Sequence, residues 1–166
     1  MFVASTEVVL KVTTGYSGIQ IALHWLVAIL IVAAWLTGDG GRKAMKTVEE
    51  GGTAGFVLHV ALGLAILTLV VIRLLVRLGR GAPEAPGAPG SLLVRAAGWG
   101  HILIYVLMIG VPLGGIATFF LGIDVGDVHA LAANVLMVVV LGHALMALYH
   151  QYVLKDGLLR RMMKAG

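Results

Sequence analysis

The chain contains no cysteine. That excludes disulfides, iron–sulfur clusters, thiolate metal ligation and covalent cofactor attachment through paired cysteines. Charge is scarce as well: Asp, Glu, Lys and Arg make up 12% of the 166 residues, about half the share of an ordinary soluble domain. Proline occurs four times, and three of the four fall within residues 82–89. The basic residues flank apolar runs and gather on no separate face, so a nucleic-acid role is not expected. Residues 1–18 are mixed in character and read as a short tail, without the pattern of a cleavable signal.

What is left is apolar. Hydrophobic residues are 60% of the chain, and the mean hydropathy is +1.00. The expectation is an all-α membrane protein: a single domain over residues 1–166 built as a four-helix transmembrane bundle. The spans are expected near 19–36, 56–76, 101–121 and 128–152, with lipid as the surrounding solvent. Between them lie a polar, glycine-rich loop at 39–55, a semi-extended proline linker at 78–97 and a short turn at 122–127. A kink is expected at Pro112, and the basic end, 155–166, reads as amphipathic. Charge sets the orientation. Lys11, Arg73, Arg77, Arg80, Arg95, Lys155, Arg160, Arg161 and Lys164 lie on the side of the termini, against Arg42, Lys43 and Lys46 on the other. By the positive-inside rule both termini are cytoplasmic.

The last run holds His129, His143 and His150. Fourteen helical steps separate the first two, which places them about 40° apart on one face and roughly 21 Å apart along the axis. Ionisable side chains in a span are expensive and usually face the bundle interior. On the same measure His24 lies about 8 Å, and His143 roughly 13 Å, below the cytoplasmic edge. His59 and His129 each open a span at the far edge. The four therefore form two level pairs, His24 with His143 and His59 with His129, each joining the fourth span to a different partner. Two imidazoles facing across a gap, twice, suit haem b held on both axial faces better than zinc, which would want four ligands. Stray histidines hydrogen-bonding between helices are the plainer alternative.

Small residues stand four positions after each of these histidines: Ala28, Gly63, Ala133 and Ala147. They would admit a flat macrocycle, although small residues are common at any membrane helix interface. Arg73, fourteen residues after His59, falls on the same face at the level of the His24 pair. It is a candidate for a haem propionate, or a snorkelling cation. His101 and His150 fall at a third level, near the cytoplasmic edge. They are open to haem ligation, quinone binding, proton relay or hydrogen bonds to loops; with Lys155 they are the candidates for a quinone site.

Five stretches carry a resemblance. They are Tyr16-Ser17-Gly18-Ile19-Gln20-Ile21-Ala22-Leu23-His24-Trp25, His59-Val60-Ala61-Leu62-Gly63, Gly100-His101, His129 with Leu131-Ala132-Ala133-Asn134, and Gly142-His143 through Tyr149-His150 and Lys155-Asp156-Gly157. In this order and spacing the chain resembles the prokaryotic dihaem cytochrome b561 family, from about residue 16 to 163. The resemblance implies two haem b, at the two pairs above, in a multi-pass protein of the bacterial inner membrane. It also implies superoxide:ubiquinone oxidoreduction, with ubiquinone as acceptor. Gly18 departs from the family, standing where a basic residue is usual. Arg42, Lys43 and Lys46 are the cations available to steer superoxide, in a segment that Asp39, Glu49 and Glu50 leave neutral overall.

Two other readings stand beside this one. The chain could be a haem-bearing subunit relaying electrons between a separate dehydrogenase or hydrogenase and quinone. It could also be a non-redox bundle, such as a transporter or proton channel, with His along its path. The orientation is testable directly. Reporter fusions at Gly166 and within residues 39–55 are expected to give opposite signals, cytoplasmic for the first.

Overall fold

The computed structural model describes residues 15–83, 88 and 90–166. Residues 1–14 of the expected tail, Lys11 included, and 84–87 and 89 of the expected linker lie outside the described residues. Five α-helices are present and, among the described residues, no strand: α1 (Gly18–Leu36), α2 (Gly38–Glu49), α3 (Leu58–Arg80), α4 (Leu92–Leu121) and α5 (Gly126–Tyr149). Four of them, α1, α3, α4 and α5 with its continuation to Leu154, are long and apolar enough to cross a membrane. Large apolar side chains such as Ile29, Leu75, Val106 and Val138 stand exposed on their outer faces. Water would tolerate so broad an apolar surface poorly, whereas hydrocarbon is its natural solvent.

Local signals set the helix ends. Ser17 starts α1, and its backbone N–H donates to Oε1 of Gln20 at 2.9 Å, half of the reciprocal cap that a Ser-x-x-Gln sequence offers. Gln20 is buried and is satisfied at its other end too, donating from Nε2 to the Gly81 carbonyl at 2.9 Å. That bond ties the start of α1 to the end of α3. After the proline segment Ser91 caps α4, accepting from the Val94 N–H at 3.4 Å. α4 runs unbroken through Pro112, so the proline removes a hydrogen bond without ending the helix. Gly122 closes α4 in the left-handed region at φ 65°, a conformation glycine adopts freely. The short turn that follows sets α5 antiparallel to α4.

Two expectations are corrected. The 39–55 segment is not simply a loop: its first part is α2, twelve residues long. Its glycines hid an amphipathic pattern, in which Gly41, Ala44 and Met45 turn inward while Arg42, Lys43 and Lys46 are exposed. The third span also begins earlier than expected, because residues 92–97 of the supposed linker already belong to α4. The prolines of this segment end at Pro89, and nothing in residues 92–97 opposes helix.

The helices pack in a row, α1 on α3, α3 on α4 and α4 on α5, and α2 lies against α3 and α1. Neither α1 nor α3 makes an extended close approach to α5. The buried core is small and central: Val27, Ile31, Ile66, Val70, Met108 and Leu136. Leu136 lies seven residues from both His129 and His143, so this layer separates the two ends of the bundle.

Past α5 the chain forms one wider π-helical turn, His150–Leu154, and ends with Lys155 at φ 56°. The last residues then fold back on α1. Trp25 Nε1 donates to the Met162 carbonyl at 2.7 Å, and the Gly166 N–H to the Tyr16 carbonyl at 3.3 Å. His150 Nδ1 and Asp156 Oδ2, 2.5 Å apart, pin the reversal. That hydrogen bond, helped by one from the Leu158 N–H, holds the Asp156 carboxyl below its usual pKa. A depressed carboxyl stabilises the folded form above its unfolded pKa, and the contribution fades as pH falls through the lowered value. The turn should therefore stay seated at neutral pH and loosen only in acid. Asp156→Asn is expected to expose residues 155–166 to limited proteolysis several-fold faster at pH 7, without altering the spans.

Candidate functional site

Each pair of rings expected at one level is brought together, edge toward face. The His59 and His129 centroids are 5.9 Å apart with the rings at 88°. Those of His24 and His143 are 6.3 Å apart at 64°. Two imidazoles that share one metal ion, at about 2 Å per bond, have centroids roughly 6 Å apart. Among the described residues no group of three or more His, Cys, Asp or Glu is arranged to hold a bare metal ion. What the rings suit is a metal that brings its own equatorial ligands.

The His59 and His129 rings are oriented by backbone carbonyls. α1 ends at Leu36, so the carbonyls of its last turn lack helical partners. That of Ala34 accepts from the Thr37 hydroxyl at 3.0 Å and from His59 Nδ1 at 2.9 Å. His129 Nδ1 donates to the Val111 carbonyl on α4 at 2.8 Å, reaching the backbone beside Gly114 and Gly115. A carbonyl only accepts, so Nδ1 of each ring carries the proton and Nε2 keeps its lone pair. Both rings are thus in the tautomer a metal ligand requires.

Next to this pair is a small apolar cavity of about 60 Å³, partly open to the outside. All four long helices line it, with Ala34, Gly63, Pro112 and Ala133 among the residues beside the two rings. A methyl group added to Gly63 would meet no atom within 4 Å, so the helix backbone there fronts open space. Trp35 Nε1 bridges α1 to α5 through Asn134 Oδ1 at 3.0 Å. The apolar walls, the two free Nε2 atoms and the separation of α5 from α1 and α3 fit a flat macrocycle.

The other end is more polar. Among the described residues His24 Nδ1 and Gln151 Oε1 are buried without a hydrogen-bond partner. Arg73 lies over the Tyr105 ring, 5.7 Å from its centroid, and its charge acts on both His24 and His143. His101 is not at a level of its own. Its ring is 5.2 Å from that of His143, nearer than His24, with Nδ1 turned back to the Ala97 carbonyl at 2.7 Å. The early start of α4 shifts His101 into the bundle, and sequence gave no direct sign of it. His150 is engaged by Asp156 and Lys155 is exposed; no contact brings either to His101 among the described residues.

Of the three cations near the opposite end, Arg42 pairs with Asp39 and Lys46 with Glu50 at 3.8 Å. Lys43 is exposed and forms no ion pair among the described residues. The residues that sequence reasoning missed are Gly41, Gly115 and Trp35. For the glycines the available signal was their clustering near His59 and His129 in the folded topology, which needs the helix register to be known first.

Comparison with known proteins agrees with this geometry. The family model described as prokaryotic cytochrome b561 matches residues 15–165. The chain is 40% identical to cytochrome b562 of Cereibacter sphaeroides, covering 90% of this chain and 96% of that protein. It is 34% identical to the probable superoxide oxidase CybB of Yersinia pestis, covering 89% and 95%. With cytochrome b561 homolog 1 of Escherichia coli the identity is 25%, over 89% and 96%. A four-span helical membrane protein with imidazole pairs at both ends, matched from end to end by that model, belongs to the prokaryotic cytochrome b561 family and is a haem-b electron-transfer protein.

Proposed function

We propose that this protein oxidises superoxide on one side of the bacterial inner membrane and reduces ubiquinone within it, using two haem b. The carrying observation is the double pairing of rings, His24 with His143 and His59 with His129, at opposite ends of one bundle. When bound, haem b supplies reversible one-electron chemistry. The reaction balances with two superoxide anions giving up one electron each to become dioxygen, and one quinone taking both electrons and two protons to become quinol. The Yersinia pestis relative, by its name a probable superoxide oxidase, supports superoxide as the donor.

The chain's own residues hold and tune. His59 and His129 offer Nε2 with Nδ1 fixed on carbonyls, and His24 and His143 offer the second pair. Arg73 is placed to hold a propionate by paired charge-assisted hydrogen bonds. With both termini cytoplasmic, as nine Lys/Arg against three argue, α2 stands on the periplasmic side, where superoxide would arrive. Arg42 and Lys46 spend their charge on neighbouring carboxylates, so Lys43 carries what steering there is. Its effect should be local and screened by salt. On the cytoplasmic side, His101 beside His143 is the leading quinone contact, with His150 and Lys155 at the rim.

Ligand loss is the first test. His59→Ala and His129→Ala should each lower the haem-to-protein ratio from about two to about one, and so should His24→Ala and His143→Ala. Gly63→Leu, which fills the cavity, should lower it as well, whereas Gly63→Ala should not. An unchanged ratio in the His59 and His129 variants would remove the periplasmic site.

Activity is the second. Purified protein should be reduced by superoxide without a partner, and reoxidised by quinone. Lys43→Gln should slow reduction roughly two- to threefold at low ionic strength, with the difference vanishing in high salt, and leave reoxidation intact. His101→Ala should do the reverse. Haems that superoxide never reduces would favour the relay subunit serving a separate dehydrogenase.

A further inference from the structure

The His59–His129 pair is walled by glycine in a way the other pair is not. A methyl group on Gly41 of α2 would fall 2.9 Å from Cδ2 and 3.3 Å from Cγ of His59. On Gly115 of α4 it would fall 3.2 Å from Cε1 and 3.4 Å from Nδ1 of His129. Both positions are helical, so propensity alone would favour alanine there. Around His24 and His143, Gly18, Gly98, Gly100 and Gly142 would each accept a methyl group with nothing within 4 Å. The walled pair stands at 88° and the open pair at 64°.

We propose that Gly41 and Gly115 are positioning residues that lock the His59 and His129 imidazoles at right angles. Each ring is then held twice. Its Nδ1–H bond to a carbonyl sets where the ring sits, and the glycine beside its edge leaves that one orientation the room a side chain would take. This gives α2 a task that its charged outer face does not show: with Gly41 inward, it is one wall of the ring socket. The idea rests on the reading of His59 and His129 as an axial pair, and the test separates the two. The angle between axial imidazole planes controls how nearly degenerate two of the iron d orbitals are. Perpendicular planes give a highly anisotropic low-spin ferric signal at low field, and rotation toward parallel moves that signal to higher field.

The experiment is low-temperature electron paramagnetic resonance on the oxidised, haem-loaded full chain, with haem content measured alongside. His59→Ala identifies which signal belongs to the walled pair; if it removes none, the axial-pair reading itself fails. Gly41→Ala and Gly115→Ala are expected to shift that signal to higher field, or to abolish it, while the His24–His143 signal stays unchanged. Gly40→Ala and Gly110→Ala, where a methyl group meets nothing within 4 Å, should change neither. Unshifted spectra in both wall variants would overturn the lock and leave the haem assignment standing. Loss of both signals in both variants would mark the glycines as general packing residues and overturn it equally.

Discussion

An imidazole inside a membrane span is stabilised by a hydrogen-bond partner within the protein, because hydrocarbon offers none. An unpaired polar group there costs several kcal/mol. In this chain the partner for the His59–His129 pair is backbone. The Ala34 carbonyl is available because α1 stops two residues later, and that of Val111 is reachable because Gly114 and Gly115 leave its neighbourhood bare. Once Nδ1 is committed to a carbonyl, the ring's other nitrogen has no proton and points elsewhere. The tautomer, the facing of the two rings and the course of α2 over His59 follow from these two bonds.

α5 is the shared member of both pairs, and this shapes the packing. It leans on α4 and stays apart from α1 and α3, meeting them through His24–His143, His59–His129 and the Trp35–Asn134 bond. Between the two ring levels lies the layer of Val27, Ile31, Ile66, Val70, Met108 and Leu136. A hydrated path would need polar groups or water at that depth, and this layer is aliphatic apart from one thioether. That weighs against a proton channel and suits a protein whose cargo is electrons.

Helical periodicity carried most of the legible content. Fourteen residues between His129 and His143 put both on one face, and the ring contact of each with its partner agrees; the same spacing linked His59 to Arg73. What escaped was structure whose signal is composite. α2 was hidden by Gly38, Gly40 and Gly41, which score as loop when taken singly, although Gly41 forms an inward stripe with Ala44 and Met45. The early start of α4 depended on Ser91 overriding the prolines before it, and His101 moved toward His143 as a consequence. The π turn at His150 has no pattern that periodicity can find, since its wider bond is made by Lys155 in a left-handed conformation.

The two ends differ in chemistry as well as in geometry. At the α2 end the rings are enclosed by apolar residues and glycine, and both Nδ1 atoms are engaged. With both ring N–H groups committed to carbonyls, that end suits a step that moves an electron alone. At the terminal end three imidazoles lie close together, Arg73 adds a charge beside Tyr105, and among the described residues Gln151 Oε1 and His24 Nδ1 are buried without partners. Reduction of a quinone consumes two protons along with two electrons, and buried polar groups with unused hydrogen-bonding capacity suit that demand. Under the proposed function the uneven distribution of polar groups is therefore a division of labour. The end that only passes electrons has both ring N–H groups committed to carbonyls, and the end that must also handle protons keeps polar groups free.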